Sequence, residues 1–198
     1  MKPPTLNSKK TLDDGMEIRE QHYAKYLGKL DDRILHSADV NENPHIDIYQ
    51  FPPTTQKPYW TLLTGGMSDA RQCVPSDGWM SGRTELLMYA EEPRDWMFEL
   101  LKRTAEMPFR NGSFVHWEHT YRPDINLAKK ANLGSLLFLP PLFEDPHFNT
   151  LRINGDNVDL LWLLPIADHE YQYVIHRGSQ LLIETILQAE RPRIFSQS

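Results

Sequence analysis

Three groups of residues in this chain are of types and spacings that could do chemistry. The first is Gly66-Met67-Ser68-Asp69-Ala70, close to the G-x-S-x-G/A nucleophile elbow and placed after an apolar run. An elbow holds its serine on a strained strand-to-helix turn, and Asp156 or Asp159 followed by His169 or His176 would supply acid and base in hydrolase order. The context downstream argues against it. Pro75 and Gly78 interrupt residues 71–78, which show no helical stripe, and no glycine-rich oxyanion segment precedes the run. A plain turn is the preferred reading, and a small serine hydrolase centred on Ser68 is its rival.

The second group is His116, Glu118 and His119. On a strand His116 and Glu118 share a face, whereas on a helix His116 and His119 meet, so neither geometry gives three convergent ligands without help from residues such as His147, His169 or Glu170. A metal-dependent enzyme using His116 and His119 is a second rival; a surface or hydrogen-bonding role is preferred, and no metal or cofactor is expected. The third group is suited to recognition. Trp79 and Trp117 fall in loop-like stretches, unlike Trp60, Trp96 and Trp162, which lie in apolar strands or a helix, and tryptophan is enriched at interface hot spots. From Ile153 to His176 there is no Lys or Arg, while Asp156, Asp159, Asp168 and Glu170 are acidic. That stretch reads as a solvated rim or an acidic docking patch.

The elements that must hold these residues follow from periodicity. Tyr59 to Thr64 is apolar or β-favouring on both faces and stops at Gly65-Gly66, which predicts a central strand with layers above and below. Residues 1–13 are expected to be a mobile tail, and 14–44 a helical extension whose helix is capped by Asp13 or Asp14 and striped by Met16, Tyr23, Leu27 and Leu30. His45 to Phe51 alternates and ends at Pro52-Pro53, marking an edge strand; a partner could add an extended segment there, with Ile46 and Ile48 lining pockets, or these isoleucines simply close the core. Residues 83–90 return as a strand, 93–107 form a helix closed by Pro108, and 109–134 form a long loop with a short helical turn. Residues 135–142 are a buried strand. Asn154-Gly155 predicts a hairpin joining Phe148–Ile153 to Asn157–Leu164, followed by two helices broken at Gly178. Strands run together with helices clustered at the start, middle and end. The fold class expected is α+β, a mixed, largely antiparallel sheet packed by helices, with Trp60, Leu62, Leu86, Met88, Phe138, Leu161 and Leu163 in one core.

The 198 residues suit one domain at 45–198 plus the N-terminal extension. A formal net charge of −6 works against phosphate binding, so nucleic acid is not an expected partner. The single cysteine, Cys73, excludes an internal disulfide, and no segment reaches the roughly 18 apolar residues of a membrane span, so the expected setting is cytoplasmic.

Four blocks, YWTLLTGGMSD at 59–69, TELLMYA with the Trp96 helix, LGSLLFLPPL at 133–142 and LLWLLPIADHEYQYVIHRGSQLLIETI at 160–186, in this order resemble the suppressor-of-fused domain family, in its single-domain bacterial form. The resemblance implies an α+β domain that binds proteins and has no established catalytic set. It also implies an immunity protein, an antitoxin of a bacterial toxin system, as the form such domains take in bacteria. Glu118-His119-Thr120 is similar to a Gly-His-Thr stretch of the family, with Glu118 in the glycine position. The partner-binding residues expected are Ile46, Ile48, Trp79, Trp117, His119, Asp156 and Asp159.

Overall fold

The computed structural model describes residues 8–36, 44–76, 80–130 and 132–196, with side chains from Asp14 onward. Helix α1 spans Ser8–Leu27, so it starts ahead of the cap expected at Asp13 or Asp14, and residues 8–13 are helical rather than tail. Tyr23 and Leu27 of this helix are buried, while Met16, expected in the same stripe, is 43% exposed.

Among the described residues eight strands follow, in two sheets. Strands β1 (Asp47–Phe51), β2 (Trp60–Gly65), β3 (Thr84–Ala90), β4 (Thr120–Tyr121), β5 (Ser135–Leu139) and β8 (Asp159–Ile166) form a six-stranded sheet in the order β1-β2-β3-β8-β5-β4. Only β3 and β8 run parallel, with Thr84 opposite Asp159; the other pairs are antiparallel. The sheet is therefore mixed and largely antiparallel. β2 is buried on both sides yet lies second from an edge, and the middle positions belong to β3 and β8.

Helices cover both faces. On one face Leu62, Leu86, Met88, Phe138, Leu161 and Leu163 pack under Met97, Leu100 and Leu101 of α2 (Asp95–Asn111) and Leu127 of α3 (Ile125–Lys130), with Trp60 half-buried at their margin. On the other, Leu63, Leu87, Tyr89, Leu137, Trp162 and Leu164 meet Tyr23 of α1, Val174 of α4 (Asp168–Arg177) and Leu182 and Ile186 of α5 (Gln180–Gln188). Each fully buried leucine contributes about 1.5–3 kcal/mol, and continuous apolar strands are what a sheet covered on both faces requires.

Two further expectations change. Pro108 lies inside α2, which runs to Asn111 and ends at Gly112 (φ 58), with Ser113 N donating to Pro108 O at 2.9 Å. Proline removes one helical N–H but does not stop the chain here, because the buried face continues through Ala105 and Pro108 and the left-handed glycine supplies the real end. The Asn154-Gly155 turn forms, both residues having positive φ (52 and 86), but it joins only β6 (Arg152–Ile153) to β7 (Asp156–Asn157). The longer arm is taken by the main sheet as β8, where it is buried between β3 and β5; a two-stranded ribbon would leave it half in water. Phe148 sits instead in a short 3-10 turn, Pro146–Thr150.

Candidate functional site

Ser68 occupies a 3-10 turn, Met67–Asp69, that leaves β2 through Gly66 (φ 103). A side chain at Gly66 is excluded, since its Cβ would stand 2.1 Å from the His45 carbonyl oxygen. Ser68 is fully buried, and its hydroxyl donates to Glu85 Oε1 at 2.6 Å and accepts from Arg19 Nη1 at 3.2 Å. Glu85, buried in β3, also accepts from Gly66 N and Ser68 N at 3.0 Å each and from Thr64 Oγ1 at 2.6 Å. Burial lifts the Glu85 pKa above the ordinary carboxylate range, while Arg19, Ser68 and Thr64 draw it part of the way back. Burial works against the charge on Arg19, but Glu85 and Asp69 outweigh it and keep the guanidinium protonated. A nucleophile elbow needs an exposed serine beside a histidine base; this serine has neither exposure nor a histidine partner, so the Ser68 segment is a structural turn locked by a carboxylate and an arginine.

The His116–His119 segment builds a different feature. His119 N donates to His116 O at 3.1 Å, closing a turn with Trp117 and Glu118 at its centre, and Glu118 has φ 64. Glu118 N then donates to Phe138 O at 2.8 Å while Phe138 N donates to His119 O at 3.0 Å, so two residues face one on β5. This is a β-bulge whose first residue is left-handed, a position glycine normally fills. Glu118 thus takes a backbone that glycine normally supplies, and its carboxylate is held by the hydroxyl of Ser179, at the start of α5.

The bulge lifts Trp117 to 46% exposure beside a groove of about 670 Å³, whose floor includes Phe114, Leu139, Leu142 and Ile183 and whose rim carries His116 and His119. The His116 and His119 rings lie 6.2 Å apart edge to face. Burial, then the nearby His116, lowers the pKa of His119, favouring the neutral ring. With Glu118 turned to Ser179, these side chains line the groove rather than converge on one point.

The remaining expected residues are dispersed. Asp159, half-buried at the start of β8, has its pKa raised by burial and drawn partly back by His116, and it does not line the groove. Asp156 sits in the small hairpin, bonded by Arg83 Nε at 2.8 Å and Arg71 Nη2 at 2.6 Å, and the Arg83 bond is the main cause of its lowered pKa. The stretch that reads as acidic in sequence is neutralised in space: Asp168 meets Arg122 and Glu170 meets Arg193. Ile46 and Ile48 are 1% and 3% exposed and face α2 as part of the core. The outer side of β1 is covered by a strap at residues 31–35, in which Leu35 and Ile48 exchange two backbone hydrogen bonds (3.1 and 3.0 Å) and Asp31 N donates to Gln50 O at 2.8 Å. Trp79 lies outside the described residues.

The model of the suppressor of fused protein (SUFU) family matches residues 42–197. The chain belongs to the suppressor of fused family. Solved structures of that name share its architecture. A suppressor of fused homologue from Neisseria gonorrhoeae is 14% identical, with a TM-score of 0.71 over 92% of this chain and 93% of that one. The crystal structure of the Sufu–Fu complex is similar at 16% identity and a TM-score of 0.62, covering 90% of this chain and 84% of that one. Drosophila Suppressor of Fused gives 16% and 0.62 over 90% of this chain but 47% of its own, so the chain spans about half the length of the fly protein. No curated protein matches the chain. Helix α1, with Arg19, precedes the part matched to the family. No helix among the described residues is long and apolar enough to cross a membrane.

Proposed function

We propose that the chain is a protein-binding domain with no catalytic step, and that it docks a partner at the Trp117 groove. The observation that carries this reading is a tryptophan held 46% exposed, on a left-handed bulge, over an apolar floor. Large aromatics beside desolvated pockets are where binding energy concentrates. Family membership supports the reading, and one of the similar solved structures is that of a complex, Sufu–Fu. The partner presents an apolar anchor to Phe114, Leu139, Leu142 and Ile183. Within this class we favour a toxin domain, the chain acting as its immunity protein. The support for that is the net charge of −6, which suits a basic partner surface.

The test uses the full chain as bait in cross-linking pull-downs from its own cells, then titration of the recovered partner against variants. Trp117→Ala should weaken binding by roughly ten- to thirty-fold, the loss of a hot-spot residue. Tyr173→Ala, exposed on α4, should leave it unchanged. Equal affinity of the Trp117→Ala protein removes the groove from the reading. A partner that is not toxic when expressed alone removes the immunity role and leaves partner binding standing.

A further inference from the structure

His36 directly follows the strap that covers β1, Asp47 opens β1, and His45 lies two residues before it. Asp47 Oδ1 lies 3.1 Å from His36 Nδ1 and 3.2 Å from His45 Nε2, and the three ligand atoms all fall within 4.8 Å of one another. Around tetrahedral zinc, with metal–ligand bonds of about 2.0–2.2 Å, neighbouring ligand atoms stand roughly 3.3 Å apart. Two edges of such a tetrahedron are therefore already set, and the third needs only a small rotation of two rings that are both partly in water: the His36 side chain is 66% exposed and that of His45 37%.

We propose that His36, His45 and Asp47 form a binding site for a divalent transition ion of the zinc class. Two imidazoles and one carboxylate are borderline donors, matched to zinc and its neighbours; calcium and magnesium require more oxygens than this cluster offers. The backbone beneath is fixed from two sides. Leu35 and Ile48 hold each other through their paired hydrogen bonds, and the His45 carbonyl is packed against Gly66 so closely that a Cβ there would be 2.1 Å away. The ligands thus project from a rigid base, which lowers the cost of gathering them. An ion held by all three side chains fastens the strap to β1. Three protein ligands leave a fourth position for water or a partner's side chain. The site lies apart from the Trp117 groove and does not depend on the docking reading.

The experiment is calorimetric titration of zinc chloride into the untagged full chain after chelator treatment and dialysis. One zinc per chain should bind with a micromolar or tighter dissociation constant and raise the thermal midpoint. His36→Ala and Asp47→Asn should each weaken binding by at least roughly ten-fold and cancel the thermal shift, given how strongly even supporting residues affect metal affinity. His176→Ala, exposed on α4, should change neither, and magnesium or calcium chloride should give no heat of binding. His36 is largely exposed, so its variant keeps the fold, and circular dichroism confirms this for each protein. Zinc binding that survives both substitutions unchanged, or no binding by the native chain at about 100 µM zinc, overturns the proposal.

Discussion

Arg19 of α1 reaches Asp69 through two bonds, Nη1 to Oδ1 at 2.5 Å and Nη2 to Oδ2 at 3.2 Å, and lies with its Nε 3.9 Å from the buried Glu85 carboxylate. A helix that precedes the family-matched part is thereby tied by charge to the centre of the sheet. Removing only the cation leaves Glu85 buried without its counter-charge. Arg19→Met should cost about 3–5 kcal/mol at neutral pH in urea unfolding, with part of the loss recovered by Glu85→Gln in the same chain.

The pH dependence of that loss has a definite sign. Arg19 holds the Glu85 pKa below the level burial alone would set, so its stabilisation is present while Glu85 is ionised and is lost as pH falls through the folded pKa. The stability gap between the native chain and Arg19→Met should be widest where Glu85 is ionised in both and narrow as pH falls through its raised folded pKa, above the ordinary carboxylate range. A gap that stays constant with pH would show that Arg19 acts by packing alone.

Leu62 is fully buried between Leu86 and the α2 face. Leu62→Ala should cost about 2–5 kcal/mol in denaturant unfolding, since the cavity cannot close against a rigid sheet. Trp60→Ala, at the half-buried margin of the same cluster, should cost less than its larger side chain would suggest.

Glu118 carries a left-handed backbone that costs a non-glycine residue roughly 1–2 kcal/mol, offset by its bond to Ser179. Glu118→Gly relieves the first and loses the second, so its stability should lie within about 1 kcal/mol of the native chain. Glu118→Val loses the bond and worsens the backbone, and should be destabilised by more than about 1 kcal/mol. Ser179→Ala should matter in the native chain and less in Glu118→Gly; equal effects in both would dissolve the pairing.

The sheet was legible because its strands are apolar on both faces, a pattern that survives whatever the neighbours are: six of the seven expected core residues share one buried cluster, with Trp60 packed at its edge. Topology was less so. The Asn154-Gly155 signal is local and correct, but which strand its long arm joins is decided by burial between β3 and β5, which no local signal encodes. Glu85 reads in sequence as an ordinary polar interruption of TELLMYA; its partners Arg19, Thr64 and Ser68 come from other segments. The acidity of residues 153–176 was real in sequence and misleading in space, because Arg71, Arg83, Arg122 and Arg193 arrive from outside the stretch. Trp117 was recognisable as a tryptophan in a loop, whereas the bulge that presents it depends on a positive φ at a glutamate. His45 and Asp47 have strand spacing, but nothing local points to His36 as their neighbour.

The parallel pairing of β3 with β8 has a consequence for how the chain is made. β3 is buried along its whole length, yet the strand that covers one of its edges begins 75 residues after it, at Asp159 against Thr84. At about 5–20 residues per second on a ribosome, that edge waits roughly 4–15 s for its partner. During this interval β1, β2 and β3 form an antiparallel meander with a sticky apolar flank, and β5 has only the two-residue β4 beside it. Nascent chains arrested before Asp159 should therefore be protease-sensitive and recruit chaperones, and release of the last forty or so residues should convert them to the resistant form in a single step.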